Sequence, residues 1–259
     1  MQCISAESEI RNLLVTISYD GHELHGWQIQ ENALSVQEVF QTALTKIIGD
    51  NIDVKGCSRT DSGVHANMYC ITVITNHQIT CERLKLALNR YLPKNIVCLD
   101  CKEMNRDFHA RYSCTGKEYI YRVWNGKVRN PFLENYAYQF RYPIDEKELD
   151  LIAKDYVGKH DFTSFCTKDS RVLNDLSRTV EYFNVKRVGD EVIFIVKADG
   201  FLYNMVRIMV GTLLKISQNK LDKHSISDIL NKKDRKFAGP TAPACGLYLN
   251  KVFYGEVNE

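Results

Sequence analysis

From Asn12 to Asp20 the side chains alternate. Leu13, Val15, Ile17 and Tyr19 share one face, and Thr16, Ser18 and Asp20 the other, before Gly21. That period of two predicts a half-buried strand ending at a turn. The period then changes. Val36, Val39, Phe40, Ala43, Leu44, Ile47 and Ile48 recur at helical spacing, with Ser35 and Glu38 as a capping box and Gly49 after the last turn. "IDVKGCS" and "HANMYCITVITN" read as strands. "CERLKLALNRYLP" reads as a helix with Leu84, Ala87, Leu88 and Tyr91 inward and Pro93 as its stop, and "NIVCLDCKEMN" as a closing strand. Strand, helix, strand, strand, helix, strand is the ferredoxin-like order, a fold class that houses many RNA-binding modules.

The second half repeats part of this plan. "KEYIYRVWN" alternates as a strand. "DEKELDLIAKDYVG" reads as a helix capped by Asp145 and Glu148 and stopped at Gly158. "RTVEYFNVKRVGDEVIFIVKADG" reads as a hairpin turning at Gly189–Asp190, and "FLYNMVRIMVGTLLKIS" as a long apolar helix. Residue identity does not establish a duplication. The expected class is α+β: two ferredoxin-like, RRM-like halves with antiparallel sheets, over residues 1–104 and 105–259.

Composition adds the class of protein. The chain has 259 residues, 44% hydrophobic and 25% charged, a globular balance. "FLYNMVRIMVGTLLKI" carries Arg207 in its middle and falls short of a membrane span. "MQCISAESEIRNLL" lacks the apolar core of a signal peptide, so a soluble, cytoplasmic protein is expected. The net charge of +2 discriminates nothing, but its distribution does. Lys102 to Asn130 holds seven Lys and Arg against three acids, interleaved with Phe108, Tyr112, Tyr119, Tyr121 and Trp124. Cations neutralise phosphates and aromatic faces stack on unpaired bases, although a solvated sheet face would look similar. The nine cysteines are read as free thiols. Cys98 and Cys101 form one CxxC without the second ligand pair that zinc needs, and a strand should send them to opposite faces.

The densest chemistry lies in "GCSRTDSGVHA", Gly56 to Ala66. Asp61 there could be a nucleophile, a base or a turn former. Arg207, the only charge between Phe201 and Leu214, borders an apolar helix face beside Tyr203, Gly211 and Leu214. A poorly solvated Arg calls for an anion; Asp199 and Asp61 are both candidates. Tyr119 and Tyr121 share a strand face with Lys117 beside them, as core or as stacking surfaces. His65 with Ser58 or Ser62 suggests a triad, but no GxSxG elbow supports one, and no P-loop or Rossmann loop occurs.

The "SRTDSGVHA" stretch, with "DFHARYS", "KEYIYRVWN", "HDFTSFC", "FLYNMVRIMVG" and "GPTAPACGLYL", resembles the bacterial tRNA pseudouridine synthase A family nearly end to end. The resemblance implies isomerisation of uridine to pseudouridine in the anticodon stem-loop of tRNA. It implies Asp61 as the catalytic carboxylate and Tyr119 as the active-site tyrosine that stacks on the target base. Arg59 would order the flipped nucleotide, Arg207 would pair with the catalytic Asp, and Leu247 would supply an apolar wall. It further implies a central RNA-binding catalytic cleft and a homodimer, with one tRNA arm reaching across both subunits and no metal or organic cofactor. Cys57, Ser58 and Ser62 stand where relatives often carry Gly or Ala, and Asn67–Met68 where a Gly–Gln pair is frequent. A non-catalytic RNA-binding protein of the same fold is the main alternative, and a thiol or zinc protein a further one.

Overall fold

The structure is a computed structural model and describes residues 10–49, 52–167 and 175–255. The N-terminal stretch read above for a signal peptide lies mostly outside these residues. The chain forms two compact units: residues up to Cys114 together with the C-terminal end from Tyr254, and Thr115–Phe253. Among the described residues no helix is long and apolar enough to cross a membrane.

The first unit runs β1 (Arg11–Tyr19), α1 (Val36–Ile48), β2 (Val54–Gly56), β3 (His65–Thr75), α2 (Cys81–Tyr91) and β4 (Ile96–Met104). The strands lie in the order β4-β1-β3-β2, all antiparallel. This is the expected ferredoxin-like arrangement. The alternation in β1 sets its register: Leu13, Val15 and Ile17 face Val73, Ile71 and Tyr69, and all six are buried. Phe40 and Leu44 of α1 and Leu84 and Leu88 of α2 complete the core. Ser35 Oγ accepts from the Glu38 N–H, and Gly49 ends α1 at φ 80°. Tyr91 departs from expectation. It is the last residue of α2, its side chain is 47% exposed, and Leu92 beyond it turns inward instead.

The paired cysteines require a second correction. Cys98 and Cys101 are both buried on one face. The cause is a bulge in β4: Cys98 pairs with Ile17, while Thr16 pairs with Asp100 and Val15 with Cys101. The extra residue resets the alternation, so both thiols join the core face of β1. Burial pushes the Cys98 thiol up to about 12 and the Cys101 thiol well above its ordinary range. Among the described residues, no cluster of three or more His, Cys, Asp or Glu side chains could hold a metal.

The second unit runs β5 (Cys114–Trp124), β6 (Tyr138–Gln139), α3 (Glu146–Ala153), β7 (Gly158–Asp161), β8 (Ser177–Val188), β9 (Glu191–Ala198), α4 (Met205–Ser217), α5 (Ser225–Lys232) and β10 (Leu247–Tyr254). Its order is β10-β5-β9-β8-β7, with β6 parallel to β5. With the short β6 and β7 and helix α5 set aside, β5, α3, β8, β9, α4 and β10 repeat the first unit's element order and strand order. Tyr121 faces Phe194 and Val123 faces Val192. Phe183 stacks on Tyr156, ring centroids 5.6 Å apart, under a helix α4 buried on nearly every side.

Helix α4 is shorter than its apolar run. It begins at Met205, because Asn204 adopts a left-handed backbone at φ 61° and Met205 N–H donates to Leu202 O. Tyr203, read as a helical neighbour of Arg207, therefore lies before the helix and is exposed.

Candidate active site

The connection from β2 to β3 carries Arg59, Thr60 and Asp61. Tyr19, Leu24, Trp27 and Tyr69 fix its course. Thr60 is buried; its hydroxyl lies 2.8 Å from the Tyr19 hydroxyl, and its carbonyl accepts from the Trp27 N–H at 3.3 Å. Val64 N–H donates to Asp61 O at 3.2 Å, closing a turn, and Gly63 sits inside it at φ 76° with its N–H on Leu24 O. Tyr69 donates its hydroxyl proton to Ser58 O, and its ring stacks on Trp27 at 4.5 Å.

The segment after β1 acts as a mould for this loop. Gly26, at φ 75°, comes so close that a Cβ there would stand 2.3 Å from Thr60 O; one on Gly21 would stand 2.0 Å from Val64 O. Only glycine permits both approaches. His65 belongs to the mould. It is buried, and the Gly21 nitrogen lies 3.1 Å from its Nδ1. Asp20 Oδ1, also 3.1 Å from it, accepts from the His22 N–H. The result is a rigid hairpin tip with Asp61 half-buried and Arg59 exposed.

The other residues singled out by sequence lie in the second unit. Tyr119 on β5 is 6% exposed and meets Phe201 edge-on at 5.0 Å. Tyr121 is fully buried and donates to Pro243 O at 2.7 Å, so it is core. Burial raises its hydroxyl pKa well above the ordinary value, against the opposing charge of Arg207. Arg207 is half-buried. Its Nε donates to Ala242 O at 2.7 Å and its Nη1 to Asn204 Oδ1 at 2.8 Å, while Ala242 N–H donates back to Arg207 O. Asp199 is exposed, and its Oδ1 accepts from the Thr179 N–H. Leu247 is buried at the start of β10, next to β5.

The "GPTAPACG" segment is what fixes Arg207. A Cβ on Gly211 would stand 1.9 Å from Pro240 O, and Gly239 N–H donates to Thr212 Oγ1 at 2.8 Å. The segment thus crosses α4 backbone against backbone. Sequence reasoning missed this clamp, and it missed the Tyr19 and Trp27 supports. The glycines were the visible signal, but not which carbonyls they approach.

These features define an α+β protein of two ferredoxin-like units, with a carboxylate on an immobilised hairpin tip. The chain belongs to the tRNA pseudouridine synthase family, whose model matches residues 15–113 and 152–255. It is 42% identical over 245 residues to tRNA pseudouridine synthase A of Thermoanaerobacter sp. (strain X514), covering 95% of this chain and all of the relative. The enzyme of the same name from Clostridium acetobutylicum matches at the same identity and coverage. That of Lacticaseibacillus casei (strain BL23) is 42% identical over 93% of this chain and 98% of its own.

Proposed function

We propose that Asp61 is the nucleophile with which this tRNA pseudouridine synthase isomerises uridine, and that its targets lie in the anticodon arm. The activity, uridine to pseudouridine in tRNA, follows from the family. The reaction breaks the bond from N1 to C1′, turns the base and joins C5 to C1′. The C5 hydrogen leaves as a proton and N1 gains one, so the step is redox-neutral. It needs an ionised carboxylate held in place, to attack sugar or base or to remove a sugar proton. One observation carries the assignment: the loop backbone is locked on both sides of Asp61 while its side chain stays half-open to solvent.

The remaining roles follow the same reading. A stacked base must leave its helix to be turned. Tyr119 would meet it through the small exposed part of its ring. Arg59, exposed two residues from Asp61, would order the extruded nucleotide. Arg207, aimed by Asn204 and Ala242, would keep the carboxylate ionised, and Leu247 would exclude water. The reading also expects a homodimer.

The test is tritium release from unmodified tRNA carrying 5-tritiated uridine, with wild type and Asp61→Asn in parallel. Wild type should release tritium and Asp61→Asn none, while both bind tRNA. Release by Asp61→Asn at a tenth of the wild-type rate would remove Asp61 from the role. Mapping the product positions along the tRNA tests the anticodon arm.

A further inference from the structure

The five aromatic side chains interleaved with the basic run have different fates. Phe108 packs on Tyr254 with ring centroids 5.0 Å apart, and Tyr119 and Tyr121 are buried. Trp124 donates its Nε1 proton to Val128 O, its ring against Gly126. Tyr112 differs: it is 78% exposed.

Tyr112 sits on a turn that is held throughout. Asn12 Nδ2 donates to Asn105 O at 2.9 Å and to Phe108 O at 2.8 Å. Ala110 N–H donates to Thr72 Oγ1 at 2.7 Å, and the Tyr254 hydroxyl donates to Ala110 O at 2.9 Å. Ser113 N–H donates to His109 O and Ser113 Oγ accepts from His109 N–H. An exposed aromatic on so fixed a backbone loses little further entropy on binding.

Its company is cationic. The Arg111 guanidinium carbon lies 5.7 Å from the Tyr112 ring centroid, and the His109 ring lies 4.5 Å away, tilted by 42°. His109 Nδ1 accepts from the Arg111 N–H, which leaves Nε2 as its other polar atom. Partial burial, with the charges of Lys55 and Arg111, lowers the His109 pKa, so the ring is a neutral donor at physiological pH. A largely exposed ring beside a guanidinium suits a polyanion with unpaired bases better than an apolar protein surface.

We infer that the turn from Asn105 to Ser113 is an RNA-contact platform, on which Tyr112 stacks against an unpaired base of the substrate tRNA and Arg111 meets a neighbouring phosphate. The inference rests on the binding of tRNA in the proposed function and is independent of the role of Asp61.

The test is titration of unmodified full-length tRNA onto wild type, Tyr112→Ala, Tyr112→Phe and Arg111→Ala at several salt concentrations, together with single-turnover tritium release at saturating enzyme. Tyr112→Ala should weaken binding about tenfold and Tyr112→Phe by less than about twofold, because the ring carries the stacking. Arg111→Ala should lower the slope of log affinity against log salt by about one. The saturated release rate should not change. Wild-type affinity in Tyr112→Ala, or equal losses in the Ala and Phe variants, would overturn the platform. If wild type releases no tritium while the binding losses appear as described, the catalytic reading fails and the platform stands.

Discussion

The hydroxyls of Tyr19 and Thr60 meet at 2.8 Å inside the first unit, one at the end of β1 and the other beside Asp61. This bond ties the position of the carboxylate to the central strand of the sheet. Tyr19→Phe should therefore cost about 1 kcal/mol of stability by leaving the buried Thr60 hydroxyl short of a partner. It should also lower the tritium-release rate, because the constraint lies next to Asp61, the proposed nucleophile. Thermal unfolding and single-turnover release check the two effects separately; a stability loss with an unchanged rate would show that Asp61 is positioned without Tyr19.

Two glycines with nearly the same backbone angle should respond differently to alanine. Gly26 is at φ 75° and Gly49 at φ 80°, but a Cβ on Gly26 meets Thr60 O, and one on Gly49 meets nothing within 4 Å. Gly49→Ala should cost only the left-handed penalty, about 1 kcal/mol, with normal turnover. Gly26→Ala should cost more than that, add a clash and reduce turnover severely. Denaturant midpoints and release rates of the two variants measure the difference.

The Cys98 thiol shapes the alkaline limit. Burial lifts it from 9.0 in the unfolded chain to about 12 in the folded one. Below pH 9 both states hold the proton and the group's contribution is fully present. Between pH 9 and 12 only the unfolded state loses it, so stability falls as pH rises, by at most about 1.4 kcal/mol per pH unit. Cys98→Ala should flatten this limb relative to wild type. Unfolding free energies at several pH values across that window check it, and parallel curves would refute the assignment.

Local pattern sufficed for much of the fold. The alternation in β1, the cap at Ser35 and the Gly189–Asp190 turn each act through neighbours in the chain, so both ferredoxin-like units were legible. The paired cysteines were not, because a bulge depends on how β4 registers against β1. Nor was the start of α4, where Asn204 departs from the helix within an apolar run. Within the candidate site, the Asp61 motif stood out by its residue types. Its mould did not, because Gly21 and Gly26 act on carbonyls some forty residues away. Arg207 was legible as a charge needing partners, but not that Ala242 and Asn204 would be among them.

The two units differ most at one corresponding place. Between β2 and β3 the chain runs from Cys57 to Val64, whereas between β8 and β9 it turns through Gly189 and Asp190 alone. The second hairpin shows that the shared plan closes with two residues. The longer tip does more than close the hairpin: it buries Cys57, Thr60 and Val64, and cutting it to the short turn would strip Tyr19, Leu24 and Trp27 of the groups they bond. The tip and the segment after β1 are therefore built as one piece, and a change in either is felt in the other.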